Sequence, residues 1–505
     1  MSQVAQRISR STLYIARFTL EATTPLSIGS GGADGVYDHP IARDANDLPY
    51  IPGSSLAGVL RHLWQQQNDQ NQLATHMLFG YQDRDHGEAS RLEVSSLVMV
   101  DSQDRAVEGL LLTQEQQHDR LVVAAKGSRQ DPLFRDRVRL THRGVAKQQG
   151  KFDRSIVMAG SRFRGELRFW SDSVRDPNWM LLLQQLIDPQ LRLGGAVRAG
   201  LGALRLVELD QRSFNLRDER DIAAFQQLPI ALDAREGLTD SLASIQAMPV
   251  ISKKTTQLQF ELVPHDFWRI GQGHRSLASG NTQKTAQLLP KQEQRIGWKA
   301  NRMGRIEGRV EQKLRWALVP GSSIKGALSH RTAFHWNRFS ELFVDDMAID
   351  AINQWDKSDH CAGVQALFGY AKERGDDISN RSGEAGRLLF EDAYVEIDET
   401  DQMAATHWQM VHNSIDRFAG GVRDRMLFTE ELIYNKPITL KITLLPTFYD
   451  RVPSIAQRAF ATALNDLCEG RLALGGGVTK GHGLFEGRGD EETNQWLQQQ
   501  LGEGV

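Results

Sequence analysis

The feature that most constrains this chain is a set of landmarks that occurs twice in the same order. Each set opens with a Pro-Gly-Ser-Ser turn before a helix with periodic apolar residues, continues with Leu-Phe-Gly-Tyr, and closes with a glycine-rich loop. The landmarks lie at Pro52–Ser55, Leu78–Tyr81 and Gly194–Gly202, and again at Pro320–Ser323, Leu367–Tyr370 and Gly475–Gly483. This recurrence indicates a tandem duplication and predicts two domains of the same fold.

The residue patterns between the landmarks predict an α+β fold. Alternating segments at Thr12–Ala22 and Gln257–Val263 predict a strand at the start of each copy, followed by helix, strand pair, helix and strand. This order suits a ferredoxin-like (RRM-like, βαββαβ) core with long inserted loops. We therefore expect a first repeat at residues 1–214, a connector at 215–256, a second repeat at 257–490 and a polar tail at 491–505.

Composition excludes several classes of protein. Two cysteines among 505 residues exclude a disulfide framework and a cysteine-rich zinc site. No run of about 18 apolar residues occurs, so we expect a cytoplasmic protein with no membrane partner.

The charge is unevenly distributed along the chain. The net charge is −3, yet Lys126–Arg168 holds twelve basic and four acidic residues, and Lys291–Arg331 holds ten and three. Two basic islands on an acidic body suit a polyanion such as RNA, with solvated charged loops as the alternative.

The two Pro-Gly-Ser-Ser turns are candidate phosphate-binding sites. Serine is a good N-cap, glycine permits close approach, and a helix N-terminus favours an anion. An ordinary capped helix is the alternative for each copy. The candidate RNA-binding residues at these helices are Ser54, Ser55, Arg61, Ser322, Ser323 and Lys325.

The landmarks resemble the RAMP superfamily, most closely the backbone subunit of type III CRISPR–Cas effector complexes. In the first repeat the matching segments are Ile28–Gly32, Tyr37–Ile41, Arg43-Asp44, Leu48–Leu56 and Leu193–Gly202. The second repeat matches at Pro320–Gly326, Leu367–Tyr370 and Gly475–Gly483. The chain therefore resembles a tandem fusion of two such subunits.

The resemblance implies a palm domain, a protruding thumb, and assembly along a guide RNA (crRNA) with other type III effector subunits. It also implies cleavage of the complementary target RNA, dependent on Mg²⁺ or Mn²⁺, through 2′-OH attack that leaves a cyclic phosphate. By residue matching, the catalytic and metal-binding acid is Asp38. From the residues alone, a turn residue before His39-Pro40 is the favoured interpretation of Asp38, and only the resemblance favours catalysis. Asp34 and Asp44 are competitors in the same loop.

The second repeat departs from the family pattern. Asp266 is the only aspartate between its first strand and Pro320, and the loop is basic, with Arg302 and Arg305 among its cations. We therefore expect one active centre, in the first repeat, and one RNA-holding repeat.

The remaining candidates are RNA contacts. The first basic island falls where the family has its thumb, with Phe134 or Phe152 as apolar wedges. A plain exposed hairpin is the alternative. Candidate phosphate contacts there are Arg135, Arg137, Arg143 and Lys147, and the late glycine loops add Arg198 and Lys480. His142 and His412 fit either acid–base cleavage or ordinary hydrogen bonding.

We interpret the chain as a crRNA-binding backbone subunit whose first repeat is a metal-dependent endoribonuclease acting within a ribonucleoprotein. Two alternatives stay open. One is a non-catalytic scaffold of the same fold. The other is a metal-independent endoribonuclease that processes precursor crRNA.

Overall fold

The structure is a computed structural model, and its described residues divide into two compact units. The first unit contains those within 1–197, 201–253 and 295–310, and the second those within 198–200, 254–294 and 311–505. The described residues are 10–32, 37–68, 71–127, 133–141, 144–249, 255–271, 273, 276, 286–311, 315–343, 362–370, 383–397 and 407–502.

Helices and strands alternate along both units, which confirms the predicted α+β class. The helices are α1 Gly53–Gln67, α2 Gln72–Phe79, α3 Gln114–Gln117, α4 Arg120–Lys126, α5 Pro177–Gln185, α6 Glu219–Gln226, α7 Leu242–Gln246, α8 Gly321–Phe339, α9 Ala362–Phe368, α10 Phe448–Arg451, α11 Ser454–Cys468 and α12 Glu491–Leu501. Two short 3₁₀ turns lie at Val197–Ala199 and Val478–Lys480.

The strands are mostly short outside the two main sheets. The first strands in chain order are β1 Thr12–Ala22, β2 Tyr81–Asp83, β3 His86–Glu88, β4 Leu92–Val94, β5 Val98–Met99, β6 Phe134–Leu140, β7 Ala146–Ser155, β8 Arg162–Ser171, β9 Leu204–Asn215, β10 Thr239–Asp240, β11 Thr256–Pro264 and β12 Phe267–Trp268. The others are β13 Gln292–Glu293, β14 Ile296–Ala300, β15 Ile306–Val310, β16 Arg315–Val319, β17 Gly369–Tyr370, β18 Glu384–Ala385, β19 Leu388–Phe390, β20 Ala393–Ile397, β21 His407–His412, β22 Phe428–Tyr434, β23 Ile438–Leu444 and β24 Phe485–Gly489.

The main sheet of the first unit is antiparallel and is centred on β1. Its order is β10-β9-β1-β8-β4, with β5 also paired to β8. The alternation of β1 places Tyr14, Phe18 and Leu20 in the core with Leu56 and Leu60 of α1. The opposite face of β1 is also buried, which the alternating polar residues did not predict.

The main sheet of the second unit repeats this arrangement. Its order is β19-β23-β11-β24, so the first strand again lies between the last strand and the strand that precedes the second long helix. Phe260 of β11 and Ile324 of α8 lie in its core with Phe460 of α11. The two units therefore share strand order as well as landmarks.

The segments predicted as connector and tail both contain ordered elements. In the connector, β10 extends the first sheet by pairing Thr239 with Gln211. This pairing gives hydrogen-bond partners to backbone N–H and C=O groups at the edge of β9. In the tail, α12 buries Trp496 against Phe448 and Phe460. Among the described residues, no helix is long and apolar enough to cross a membrane.

The hairpin β14–β15 belongs in sequence to the second repeat but in structure to the first unit. The indole Nε1 of Trp298 donates to Gly160 O at 2.7 Å, and the Arg162 guanidinium lies 4.0 Å from the ring centre. Gly308 N donates to Ser102 O at 2.9 Å. Arg302 and Arg305, which the sequence assigned to the second repeat, are exposed at the tip of this hairpin.

Candidate functional site

The segment that carries Asp38 is attached to the base of the hairpin β6–β7. The backbone N of Ser155 donates to His39 O at 3.0 Å, which fixes the segment against β7. The ring centres of Tyr37 and Phe134 are 5.8 Å apart, and those of His39 and Phe152 are 6.3 Å apart. Phe134 and Phe152 thus pack against the Asp38 segment at the hairpin base.

Asp38 forms a reciprocal pair with Asp153 of β7. Asp38 N donates to Asp153 Oδ1 at 2.9 Å, and Asp153 N donates to Asp38 Oδ2 at 3.0 Å. The Asp38 side chain is exposed. Each carboxylate uses one oxygen in this exchange, which ties the exposed Asp38 to the half-buried Asp153.

This pair fits the ligand requirements of Mg²⁺ or Mn²⁺. Mg²⁺ is commonly held by one or two carboxylates, with water and substrate phosphates as its other ligands. Among the described residues, no group of three or more His, Cys, Asp and Glu side chains could hold a metal ion. Asp38 and Asp153 would therefore be the protein ligands, and oxygen atoms of water and RNA would have to supply the rest.

Charges of both signs act on His39. Desolvation lowers the pKa of His39, the charge of Arg154 acts in the same direction, and Asp38 and Asp153 oppose it. His39 is therefore neutral near pH 7. Burial likewise lowers the pKa of Arg154, whose Nη1 donates to Ser27 Oγ at 3.3 Å.

The late glycine loop closes the site beside Arg154. Gly195 N donates to Ser27 O at 2.7 Å, and Gly202 N donates to Pro25 O at 2.9 Å, so both ends of the loop are hydrogen-bonded to the segment after β1. Gly194 has a φ of 88°, a conformation that favours glycine. We call Asp38, His39, Asp153, Arg154 and Gly195 the Asp38 site.

Arg198 and Lys480 do not occupy corresponding places in the two late loops. When the glycines are aligned, Arg198 matches Thr479, and Lys480 matches Ala199. The Arg198 side chain donates from Nε to Gly386 O at 2.6 Å. Lys480 is exposed, with its Nζ 3.5 Å from Glu430 Oε2 and 4.9 Å from the ring centre of Phe428.

The serines of the two Pro-Gly-Ser-Ser turns are not N-caps, so that prediction is wrong. Pro52 and Pro320 hold the N-cap positions, without side-chain caps, because each helix already begins at the following glycine. Ser54 and Ser323 are exposed in the first turn, and Ser55 and Ser322 are half-buried.

The helix N-terminus in the second unit already has an acidic partner. Gly321 N donates to Asp392 Oδ1 at 2.8 Å, so a carboxylate lies where a phosphate was expected. Lys325 donates from Nζ to Phe368 O at 2.9 Å, at the end of α9. Arg61 is half-buried on α1.

The predicted thumb contacts lie along the hairpin β6–β7. Arg135 is buried, and Arg137 and Lys147 are half-buried. Arg143, His142 and Asp34 lie outside the described residues. The exposed apolar side chains along this hairpin and its turn are Val138, Leu140 and Val145.

The second unit has a buried carboxylate surrounded by cations. Glu430 Oε1 accepts from Arg269 Nε at 2.8 Å, and its Oε2 lies 3.0 Å from His412 Nε2. Burial acts to raise the pKa of Glu430, but the hydrogen bond and charge of Arg269 outweigh it and the pKa is lowered. Asp266 is exposed in the turn after β11.

Sequence reasoning missed Asp153, Arg154 and Glu430. Asp153 and Arg154 lie within the first basic island, and no sequence motif marked any of the three. A predicted strand register would have been needed to place Asp153 opposite Asp136 and Arg154 opposite Arg135.

The comparisons with known proteins agree with two repeats along the sequence. The family model described as the RAMP superfamily matches residues 19–205 and 269–486, about four fifths of the chain, which confirms the resemblance. No curated protein matches the sequence.

Proposed function

This chain belongs to the RAMP superfamily, and on that premise we propose that it is a crRNA-binding backbone subunit of a type III CRISPR effector complex. We propose further that its first unit cleaves the complementary target RNA with Mg²⁺ or Mn²⁺. Its partners would be crRNA, target RNA and the other type III subunits, in the cytoplasm, as the sequence predicts.

We infer a ferredoxin-like core for each unit. In both main sheets the order of the four principal strands is last, first, third, second, with one long helix after the first strand and another after the third. This order supports the inference. In such a fold the loops after the first strand and before the last strand meet, as the contacts between Ser27 and Gly195 illustrate.

The single observation that carries the proposed cleavage is the reciprocal bonding of Asp38, which is exposed, with Asp153, which is half-buried. A bound divalent ion would supply positive charge to the scissile phosphate. The chain itself would hold the Asp38 carboxylate against β7, where its exposed oxygen can orient a ribose hydroxyl. A carboxylate held in place loses little freedom when the substrate binds.

The test is Asp38→Asn in the assembled ribonucleoprotein. We expect target cleavage to fall at least a hundredfold, while crRNA binding stays unchanged, because the amide keeps the shape of the side chain but loses its charge. Asp47→Asn is the matched control, since Asp47 is exposed, has a φ of 62° and pairs only at the surface with Arg43.

The same experiment separates the alternatives. A scaffold would bind complementary RNA and leave it intact with metal present. A metal-independent processing enzyme would cut precursor RNA in EDTA. Either result, or full activity in Asp38→Asn, would refute the proposed cleavage.

In our proposal the second unit holds RNA without cutting it. Its late loop carries exposed Lys480, and the turn that follows β21 carries Phe418, whose side chain is fully exposed. Asp416 Oδ1 accepts from Phe418 N and Ala419 N, both at 2.9 Å, which fixes this turn. An exposed aromatic side chain on such a turn suits stacking on an unpaired base.

A further inference from the structure

Arg154 is a half-buried cation with little to compensate it. Among the described residues, its one side-chain hydrogen bond is the 3.3 Å contact from Nη1 to Ser27 Oγ, and its buried Nε has no partner. A guanidinium that gives up water without finding an acceptor costs free energy. Such a cost is tolerated where a ligand supplies the missing acceptor.

The residue opposite Arg154 on the neighbouring strand does not supply the missing acceptor. In the register of β6 and β7, Arg154 lies directly opposite Arg135, so both side chains project from the same face of the hairpin. A guanidinium carries donors and no acceptor. Arg135 therefore cannot accept a hydrogen bond from Arg154.

The second unit has a guanidinium at the corresponding place, supplied from a different position in the chain. A Cβ on Gly195 would collide with Arg154 Nη1, and a Cβ on Gly476 would lie 2.7 Å from Arg269 Nη2. Gly195 N donates to Ser27 O, and Gly476 N donates to Arg269 O at 2.9 Å, so Arg269 corresponds to Ser27. Two different positions thus place a guanidinium beneath the second glycine of the late loop.

The two units differ in how they neutralise this charge. The bridge between Leu26 and Val157 corresponds to the pair Trp268 and Ile433. Arg154 lies three residues before Val157, and Glu430 lies three residues before Ile433. Glu430 therefore corresponds in position to Arg154. The second unit therefore pairs its guanidinium with a buried carboxylate at 2.8 Å, whereas the first unit puts the guanidinium itself at that position.

We infer that Arg154 binds a phosphodiester group of RNA at the Asp38 site, between the late glycine loop and the hairpin β6–β7. This inference rests on the proposed function and adds a residue to it. The phosphate supplies the acceptors that Arg154 lacks, and Gly195 leaves the space in which the guanidinium lies. A planar guanidinium group can donate two parallel hydrogen bonds to two oxygens of one phosphate, and this fixes the position of the RNA backbone.

The test measures how RNA affinity depends on salt. The full chain, Arg154→Gln and the control Arg168→Gln are titrated with a short unstructured RNA between about 50 and 200 mM salt. Each contact with a phosphate of a single strand contributes about 0.7 to the slope of log affinity against log salt. We expect Arg154→Gln to lose about 0.7 of that slope and roughly tenfold in affinity. Arg168, which is 49% exposed and pairs with Glu166, should change neither.

Thermal stability distinguishes binding from a structural role. Arg154→Gln removes an uncompensated charge, so the free protein should melt at the same temperature as the wild type or higher. A lower melting temperature with an unchanged salt slope would overturn the inference.

Gly195→Ala provides a second variant that leaves Arg154 in the sequence. The only close neighbour of the new Cβ is the end of the Arg154 side chain, which can move, so folding should be preserved. We expect the variant to lose RNA affinity as Arg154→Gln does, and the double variant to lose no more than either. Additive losses would contradict the inference.

The salt titration is carried out in two arms, one with guide RNA alone and one with the guide–target duplex. Together they identify which RNA strand Arg154 contacts, and they separate this inference from the proposed function. A loss of slope with guide RNA alone assigns the phosphate to the guide, and a loss that appears only with the guide–target duplex assigns it to the target. If Arg154→Gln matches Arg168→Gln in both arms while Asp38→Asn still abolishes cleavage, the inference fails and the proposed function stands. If the wild-type chain binds neither RNA, the proposed function fails.

Discussion

At the scale of single residues, the same motif meets different surroundings in the two units. Gly53 begins α1, and a Cβ at this position would collide with the carbonyl oxygen of Val94 and lie 2.8 Å from that of Ser95. Gly321 begins α8, and its Cβ would lie 3.0 Å from Phe390 O and 3.1 Å from Glu391 O. The first glycine is required by close packing against backbone, and the second has slightly more room.

This difference predicts unequal costs for the same substitution. Gly53→Ala should lower the free energy of unfolding by about 2 to 3 kcal/mol, because a backbone carbonyl must move, and Gly321→Ala by about 1 kcal/mol. Denaturant unfolding of the two variants checks the order. Equal costs, or a larger cost for Gly321→Ala, would contradict the packing argument.

At the scale of elements, α8 and α11 are joined by a buried polar cluster. His335 of α8 and Asp466 of α11 are 3% and 4% exposed, with 2.6 Å between His335 Nε2 and Asp466 Oδ2. Arg331 Nε donates to the same oxygen at 2.5 Å. Burial lowers the pKa of His335 more than Asp466 raises it, so His335 is neutral in the folded protein near pH 7.

The cluster predicts a loss of stability on mild acidification. In the unfolded chain, His335 is protonated at about pH 6.5, as an ordinary histidine is. The folded protein holds His335 at a lower pKa, so the unfolded state binds the proton first and the free energy of unfolding falls below about pH 6.5. His335→Gln should reduce this dependence, as measured by unfolding at a series of pH values.

His86→Gln is the matched control, because His86 is exposed. Its unfolding should keep the pH dependence of the wild type. Identical pH dependence in wild type and His335→Gln would show that His335 does not titrate differently on folding.

At the scale of the whole molecule, the boundary between repeats in sequence is not the boundary between units. The hairpin β14–β15 follows β11 and β12 of the second unit in the chain, yet it contributes Trp298 to the core of the first. The salt bridge from Arg120 to Glu307 at 3.2 Å joins α4 to the same hairpin. The first unit is therefore complete only when part of the second repeat has been made.

This exchange predicts that a substitution in the second repeat destabilises the first unit. Trp298→Ala removes a half-buried indole and its hydrogen bond to Gly160, at a cost of about 2 kcal/mol. Hydrogen exchange of β8 and α4 should accelerate roughly 30-fold, while β11 and β23 keep their protection. Acceleration confined to β11 and β23 would contradict the assignment of this hairpin.

The sequence by itself determined the duplication, the α+β class, the first strand of each unit and the helices after Pro52 and Pro320. These features depend on local periodicity and on turn residues that adjoin the elements they bound. The loop that carries Asp38 was instead singled out by its resemblance to a family.

Only the tertiary structure decided which side chains meet. Asp38 and Asp153 are 115 positions apart and adjoin because of the register of β7, and a shift of one residue would turn Asp153 to the other face. The hairpin β14–β15 joins the first unit because Trp298 finds a place beside Gly160 and Arg162 there. Contacts of this kind depend on surfaces that form only when distant segments of the first unit come together, so no local pattern in the sequence encodes them.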